Sequence, residues 1–85
     1  MSDVDAIKGR IKDYIMEEFL PGESPDTLTD DTEMVTDGVL DSLATLRLVE
    51  FLEGTFGVSL EPHEVDAEYL NTLPDIANLV AGKLG

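Results

Sequence analysis

The chain has 85 residues, with 19 Asp and Glu against 5 Lys and Arg and a formal charge of -14. That is room for one domain, residues 1–85, and its charge disfavours nucleic acid and anionic membranes as partners. Cysteine is absent, which removes disulfides and thiolate metal sites and leaves helix packing to supply stability.

No basic leader followed by an apolar run opens the sequence, and no apolar run approaches the ~20 residues of a membrane helix. A cytoplasmic location without membrane insertion is expected. The charges are unevenly spread. Lys8, Arg10 and Lys12 lie near the start and Lys83 at the end, while Arg47 is the one basic residue between Asp13 and Gly82. Every acid except Asp3 and Asp5 falls in that middle segment. Such a surface favours basic protein partners and also serves solubility.

Val4, Ile7, Ile11, Ile15 and Phe19 recur every three or four positions with Tyr14 beside them, predicting an amphipathic helix over residues 3–19. Ser2 or Asp3 can cap it, Gly9 falls on its polar side, and Pro21-Gly22 ends it. Residues 21–40 read as a loop, far longer than most connections in a compact domain and therefore functional or disordered. Its sparse apolar residues, Leu28, Met34, Val35, Val39 and Leu40, are expected to pin it across the bundle. Asp30-Asp31-Thr32-Glu33 is predicted to form one helical turn. A calcium-loop reading from Glu33 fails, because Val35 and Ala44 stand where carboxylate ligands are required.

Asp41 is a good N-cap for a helix over Ser42–Phe56, with Gly57 as its stop. At ~100° per residue, Ala44, Leu48, Val49, Phe51, Leu52, Thr55 and Phe56 share a broad core face. Leu43, Leu46, Arg47, Glu50, Glu53 and Gly54 fall on the opposite, exposed face. After the link Gly57-Val58-Ser59-Leu60, Pro62 opens a brief helix over residues 63–66, with Glu61, Glu64, Asp66 and Glu68 exposed and Val65, Tyr69 and Leu70 inward. His63, the sole histidine, is expected at the surface and has no second ligand at metal-site spacing. Asn71 or Thr72 caps a last helix whose buried stripe is Leu73, Ile76, Ala77, Val80 and Leu84. The predicted fold is an all-α, small four-helix bundle, three main helices plus one short one, with a long loop between the first and second.

Ser42 sits in the first turn of the second helix. Backbone N–H groups there are unpaired and carry the positive end of the helix dipole, so an anion attached to Ser42, above all a phosphate, is stabilised. A serine at a helix start is otherwise an ordinary first-turn residue. As a catalytic nucleophile it lacks a base, and its flanks differ from the G-x-S-x-G elbow of hydrolases.

The run Gly38-Val39-Leu40-Asp41-Ser42-Leu43, followed by Leu48, Val49, Leu52, Glu53 and Phe56, resembles the phosphopantetheine-dependent carrier proteins, the family of acyl, peptidyl and aminoacyl carriers. The resemblance extends over nearly the whole chain through its length, helix order and long first loop. It implies that Ser42, flanked by Asp41 and Leu43, is the acceptor of a covalent 4′-phosphopantetheine. It also implies a monomeric, non-catalytic protein that enzymes act upon. The partners it implies are a phosphopantetheinyl transferase, an acyl- or amino-acid-activating ligase and downstream synthases or transferases. Family partners dock on this helix through apolar residues and acids, which maps here to Leu43, Leu46, Arg47, Glu50 and Glu53; Arg47 departs from the acidic pattern. The attachment motif is shared by carriers of all cargoes, although Val39-Leu40-Asp41-Ser42 and Asn71-Thr72 look more like D-alanyl and related aminoacyl carriers. An unmodified acidic interaction module would need the same helices and exposed leucines without chemistry at Ser42.

The acid excess repels itself in a compact domain, and salt shortens the reach of that repulsion. The melting temperature is therefore expected to rise by several degrees from low to moderate salt; a flat or falling profile in thermal melts would contradict this.

Overall fold

The computed structural model describes residues 3–84, apart from the side chains of Asp3 and Pro25. A cap from Ser2 or from the Asp3 side chain lies outside the described residues. The elements in order are α1 (Asp3–Phe19), a 3-10 turn (Pro25–Thr27), α2 (Ser42–Phe56), a second 3-10 turn (Pro62–Glu64), α3 (Ala67–Leu70) and α4 (Leu73–Leu84). The described residues include no strand, and the chain folds as the expected all-helical bundle.

Ile7, Ile11 and Ile15 recur at one turn's spacing on α1 and are all buried. This stripe lies chiefly against α4, where Ile76, Ala77 and Val80 are buried in turn. Leu48 and Leu52 of α2, with Leu70 and Leu73, complete the interior. Each large aliphatic side chain so enclosed contributes on the order of 1.5–3 kcal/mol. No polar or charged residue is buried among the described residues, so the core carries no charge-desolvation cost.

Aromatic contacts join α1 to α2. Tyr14 stacks on Phe51 with centroids 4.0 Å apart and rings 11° from parallel, and Phe19 and Phe56 meet this pair edge-on. The Tyr14 hydroxyl donates to the Arg47 carbonyl at 3.2 Å. Burial first, and the charge of Glu18 second, push the phenol's pKa up, which keeps it a hydrogen-bond donor.

The long connection is pinned as expected, with Leu28, Met34 and Leu40 buried in the core. Its helical turn, however, is Pro25–Thr27, not residues 30–33. Around residues 29–32 the side chains compete with helix formation. The amide of Thr29 donates to Thr32 Oγ1, that of Asp31 donates to Thr29 Oγ1, and Asp30 reaches out to Lys8 Nζ at 2.9 Å. Further on, Asp37 N–H donates to the Glu33 carbonyl and Gly38 N–H to that of Val35. Gly38 has φ +88, a left-handed conformation that a side chain would strain.

Gly57 ends α2 as predicted, in the left-handed conformation with its N–H on the Glu53 carbonyl. The predicted helix over residues 63–66 does not form: the 3-10 turn Pro62–Glu64 ends before Val65, and α3 begins only at Ala67. Asp66 is the reason: its backbone is extended and its side chain caps α3 by accepting from Glu68 N–H at 2.7 Å. Glu64, expected to be exposed, is largely covered, bridging Lys83 Nζ at 2.7 Å and the Glu61 amide at 2.8 Å. Those bonds, Lys83's foremost, hold its carboxyl below the usual carboxylate range. His63 is exposed and meets Tyr69 edge-on.

Two further expectations are corrected. Leu84 is 53% exposed and lies beyond the core cluster; the buried stripe of α4 ends at Val80, and Leu84 is the last helical residue. Thr55 is exposed at the edge of the arc assigned to the core. None of the helices described is long and apolar enough to cross a membrane.

Leu48 is fully buried, whereas Leu46, two residues before it, is 58% exposed. Leu48→Ala is expected to cost ~2–5 kcal/mol through lost contacts and a cavity. Leu46→Ala is expected to stay within about 0.5 kcal/mol of wild type. Comparable losses for the two variants in denaturant or thermal unfolding would refute this rotation of α2.

Candidate functional site

The start of α2 is built by the residues on either side of Ser42. Asp41 has an extended backbone (φ -80, ψ -174), its Oδ1 accepts from Ala44 N–H at 2.8 Å, and its carbonyl accepts from Thr45 N–H. The N–H groups of Ser42 and Leu43 have no partner among the described residues. Leu40 is buried and donates its N–H to the Met34 carbonyl at 2.9 Å, which anchors the chain in the core two residues before the serine.

Ser42 is exposed, and its hydroxyl has no hydrogen-bond partner among the described residues. The nearest carboxylate in sequence, Asp41, is engaged as the cap. Among the described residues no side chain is hydrogen-bonded to the hydroxyl so as to activate it as a nucleophile. For an attached phosphodiester the fit is good: open space at the oxygen, two free N–H groups and the positive helix end.

A cleft of about 630 Å³ opens beside Ser42, with Val35, Leu40, Leu46 and Val65 among its apolar lining and Asp41 and Asp66 among its polar lining. On the other side of Leu46 a second depression is formed by Tyr14, Leu43, Leu46, Arg47, Glu50 and Phe51. Leu43 and Leu46 are 63% and 58% exposed, as the wheel predicted. Arg47 is exposed, with Nη1 4.0 Å from Glu18 Oε1 on α1. Glu50 is exposed near them. Glu53, assigned to the same face, is corrected: it is half-buried, and its Oε2 accepts from Leu60 N–H at 2.9 Å. It holds the link after α2 and does not stand free beside the leucines. Among the described residues no group of His, Asp or Glu converges as a metal site.

Sequence reasoning missed the part played by Asn71. The cap of α4 is Thr72, whose Oγ1 accepts from Asp75 N–H at 3.2 Å. Asn71 Oδ1 instead accepts from both Val35 N–H (2.9 Å) and Thr36 N–H (3.0 Å), and its main-chain carbonyl accepts from Met34 N–H. Adjacent Asn and Thr before an apolar stripe signal a cap at either position, and nothing local separates them.

A family description of the phosphopantetheine attachment site matches residues 14–80, a span that includes α2 and Ser42. The chain is 32% identical over 80 residues to an acyl carrier protein of Chloroherpeton thalassium, covering 94% of this chain and 95% of that one. It is 42% identical over 53 residues to a D-alanyl carrier protein of Lactococcus lactis subsp. cremoris strain MG1363, covering 62% of this chain and 67% of that one. A D-alanyl carrier protein of L. lactis subsp. lactis strain IL1403 matches to the same extent. With a capped helix that presents an open serine and with this match along most of its length, the chain belongs to the phosphopantetheine-dependent carrier proteins.

Proposed function

We propose that Ser42 is the residue that receives 4′-phosphopantetheine and that the chain carries acyl or aminoacyl intermediates as thioesters on that arm. The observation that supports this most is the exposed Ser42 hydroxyl on the first residue of a capped helix, inside the matched family region. In the modification, the Ser42 oxygen bonds to the phosphorus next to pantetheine in coenzyme A. The pyrophosphate P–O bond breaks, adenosine 3′,5′-bisphosphate leaves, and the serine proton passes to a base of the transferase. The protein itself is not a catalyst: it holds the cargo at high effective concentration near each docked enzyme.

Its partners are a phosphopantetheinyl transferase, an activating ligase and the synthases or transferases that use the cargo, in the cytoplasm. The docking surface is Leu43 and Leu46 with Arg47 and Glu50 around them, an apolar centre within a charged rim. Arg47 calls for a carboxylate on the partner, and Glu50 for a cation. An aminoacyl cargo is supported by the identity to D-alanyl carriers, and an acyl cargo by the fuller coverage of the acyl carrier.

With coenzyme A and a broad-specificity transferase, intact mass spectrometry is expected to register one phosphopantetheinyl increment, absent in Ser42→Ala. No increment in the wild type, or one that persists in the variant, would sink the assignment. Leu46→Ala is expected to melt normally yet be modified or loaded several-fold more slowly. A wild-type rate from that variant would put the docking patch elsewhere.

A further inference from the structure

Asn71 lies at the α3–α4 junction, 29 residues after Ser42 in sequence, yet its bonds lead back to the segment that delivers the serine. Its Oδ1 takes the N–H groups of Val35 and Thr36 at 2.9 and 3.0 Å, and its carbonyl takes that of Met34 at 2.6 Å. Three consecutive amides of the long loop thus end on one residue. Both partners of the side chain are donors, so the amide oxygen must be the atom facing the loop. Met34 passes the connection on, because its own carbonyl accepts from Leu40 N–H, and Leu40 is followed directly by the Asp41 cap and Ser42. Between these points, the turn closed by Asp37 and Gly38 keeps the segment compact.

We infer that Asn71 is a positioning residue for modification at Ser42: through residues 34–36 it clamps the loop that precedes α2 in the arrangement a transferase has to engage. The inference rests on the reading of Ser42 as the attachment residue. A loop already held in its docking form loses little freedom when the enzyme binds, whereas an unclamped loop has to be ordered at the enzyme's expense. Chemistry at the hydroxyl is the same once the complex has formed, so the clamp acts on KM for the carrier and leaves kcat in place. If the clamped arrangement fell to a tenth or a fifth of the population, the apparent affinity would fall by about fivefold to tenfold.

The test compares steady-state modification by a phosphopantetheinyl transferase and coenzyme A for wild type, Asn71→Ala, Asn71→Gln and Asn71→Asp, with amide hydrogen exchange at Val35 and Thr36. Ile76→Val serves as a control that loosens the core of α4 without touching the loop. Asn71→Ala and Asn71→Gln, which remove the oxygen or displace it by one methylene, are expected to raise KM about fivefold to tenfold at unchanged kcat. They are also expected to speed exchange at Val35 and Thr36. Asn71→Asp, which keeps an acceptor in place, should restore both, and Ile76→Val should alter neither. Should the alanine variant fail to fold, the glutamine variant carries the comparison. An unchanged KM in a folded Asn71→Gln protein, or an aspartate variant as impaired as the glutamine one, would overturn the clamp. Failure of the wild-type protein to be modified at all would instead sink the assignment of Ser42.

Discussion

Asp41 alone separates Leu40, which is 2% exposed, from Ser42, which stands open to solvent, and the site depends on that short step from core to surface. The step requires the chain to leave the interior extended, turn into a helix at once and leave no buried N–H unpaired. Asp41 meets these demands with its extended backbone and a side chain that caps Ala44. What remains at the helix end is two free N–H groups and the dipole, a local environment suited to a phosphate. The rest of the bundle supports this step: α1 and α4 bury Leu48 and Leu52 and thereby set the rotation of α2, and with it the outward aim of Leu43 and Leu46.

The charge distribution is consistent with a protein whose surface is its means of recognition. Among the described residues, three of the five basic residues pair with acids on other segments: Lys8 with Asp30, Arg47 with Glu18 and Lys83 with Glu64. The more open pairs, Lys8 with Asp30 and Arg47 with Glu18, contribute about 0–1 kcal/mol each. Their effect is tethering. Lys8 holds the long loop to α1, and Lys83 holds the turn before α3 to the end of α4. The great excess of acid is left for solvent and for partners, and apolar packing holds the fold together against its repulsion.

The Ser42 hydroxyl has no hydrogen-bond partner among the described residues. It stands exposed at the start of a capped helix, with two exposed leucines and a loop anchored in the core around it. The cleft beside Ser42 and the depression around Arg47 both take Leu46 into their lining, which places that leucine between Ser42 and Arg47.

Periodicity over three or four residues sufficed to delimit α1 and α2, to put Leu48 inside and Leu46 outside, and to mark Asp41 as the cap and Gly57 as the stop. Such features are local, because a helix repeats every 3.6 residues and its ends are signalled within one turn. The motif around Ser42 is equally local, so membership of the carrier family was legible before the fold. Only the tertiary structure decided what polar side chains with two available partners would choose. Asn71 left the cap to Thr72 and bound a loop 35 and 36 residues away. Glu53 turned from the exposed face to the amide of Leu60, and Glu64 was covered by Lys83. The reason is energetic as much as geometric: one hydrogen bond contributes about 0.5–1.5 kcal/mol net wherever it forms. Local pattern cannot rank such choices, and the packing of distant segments does.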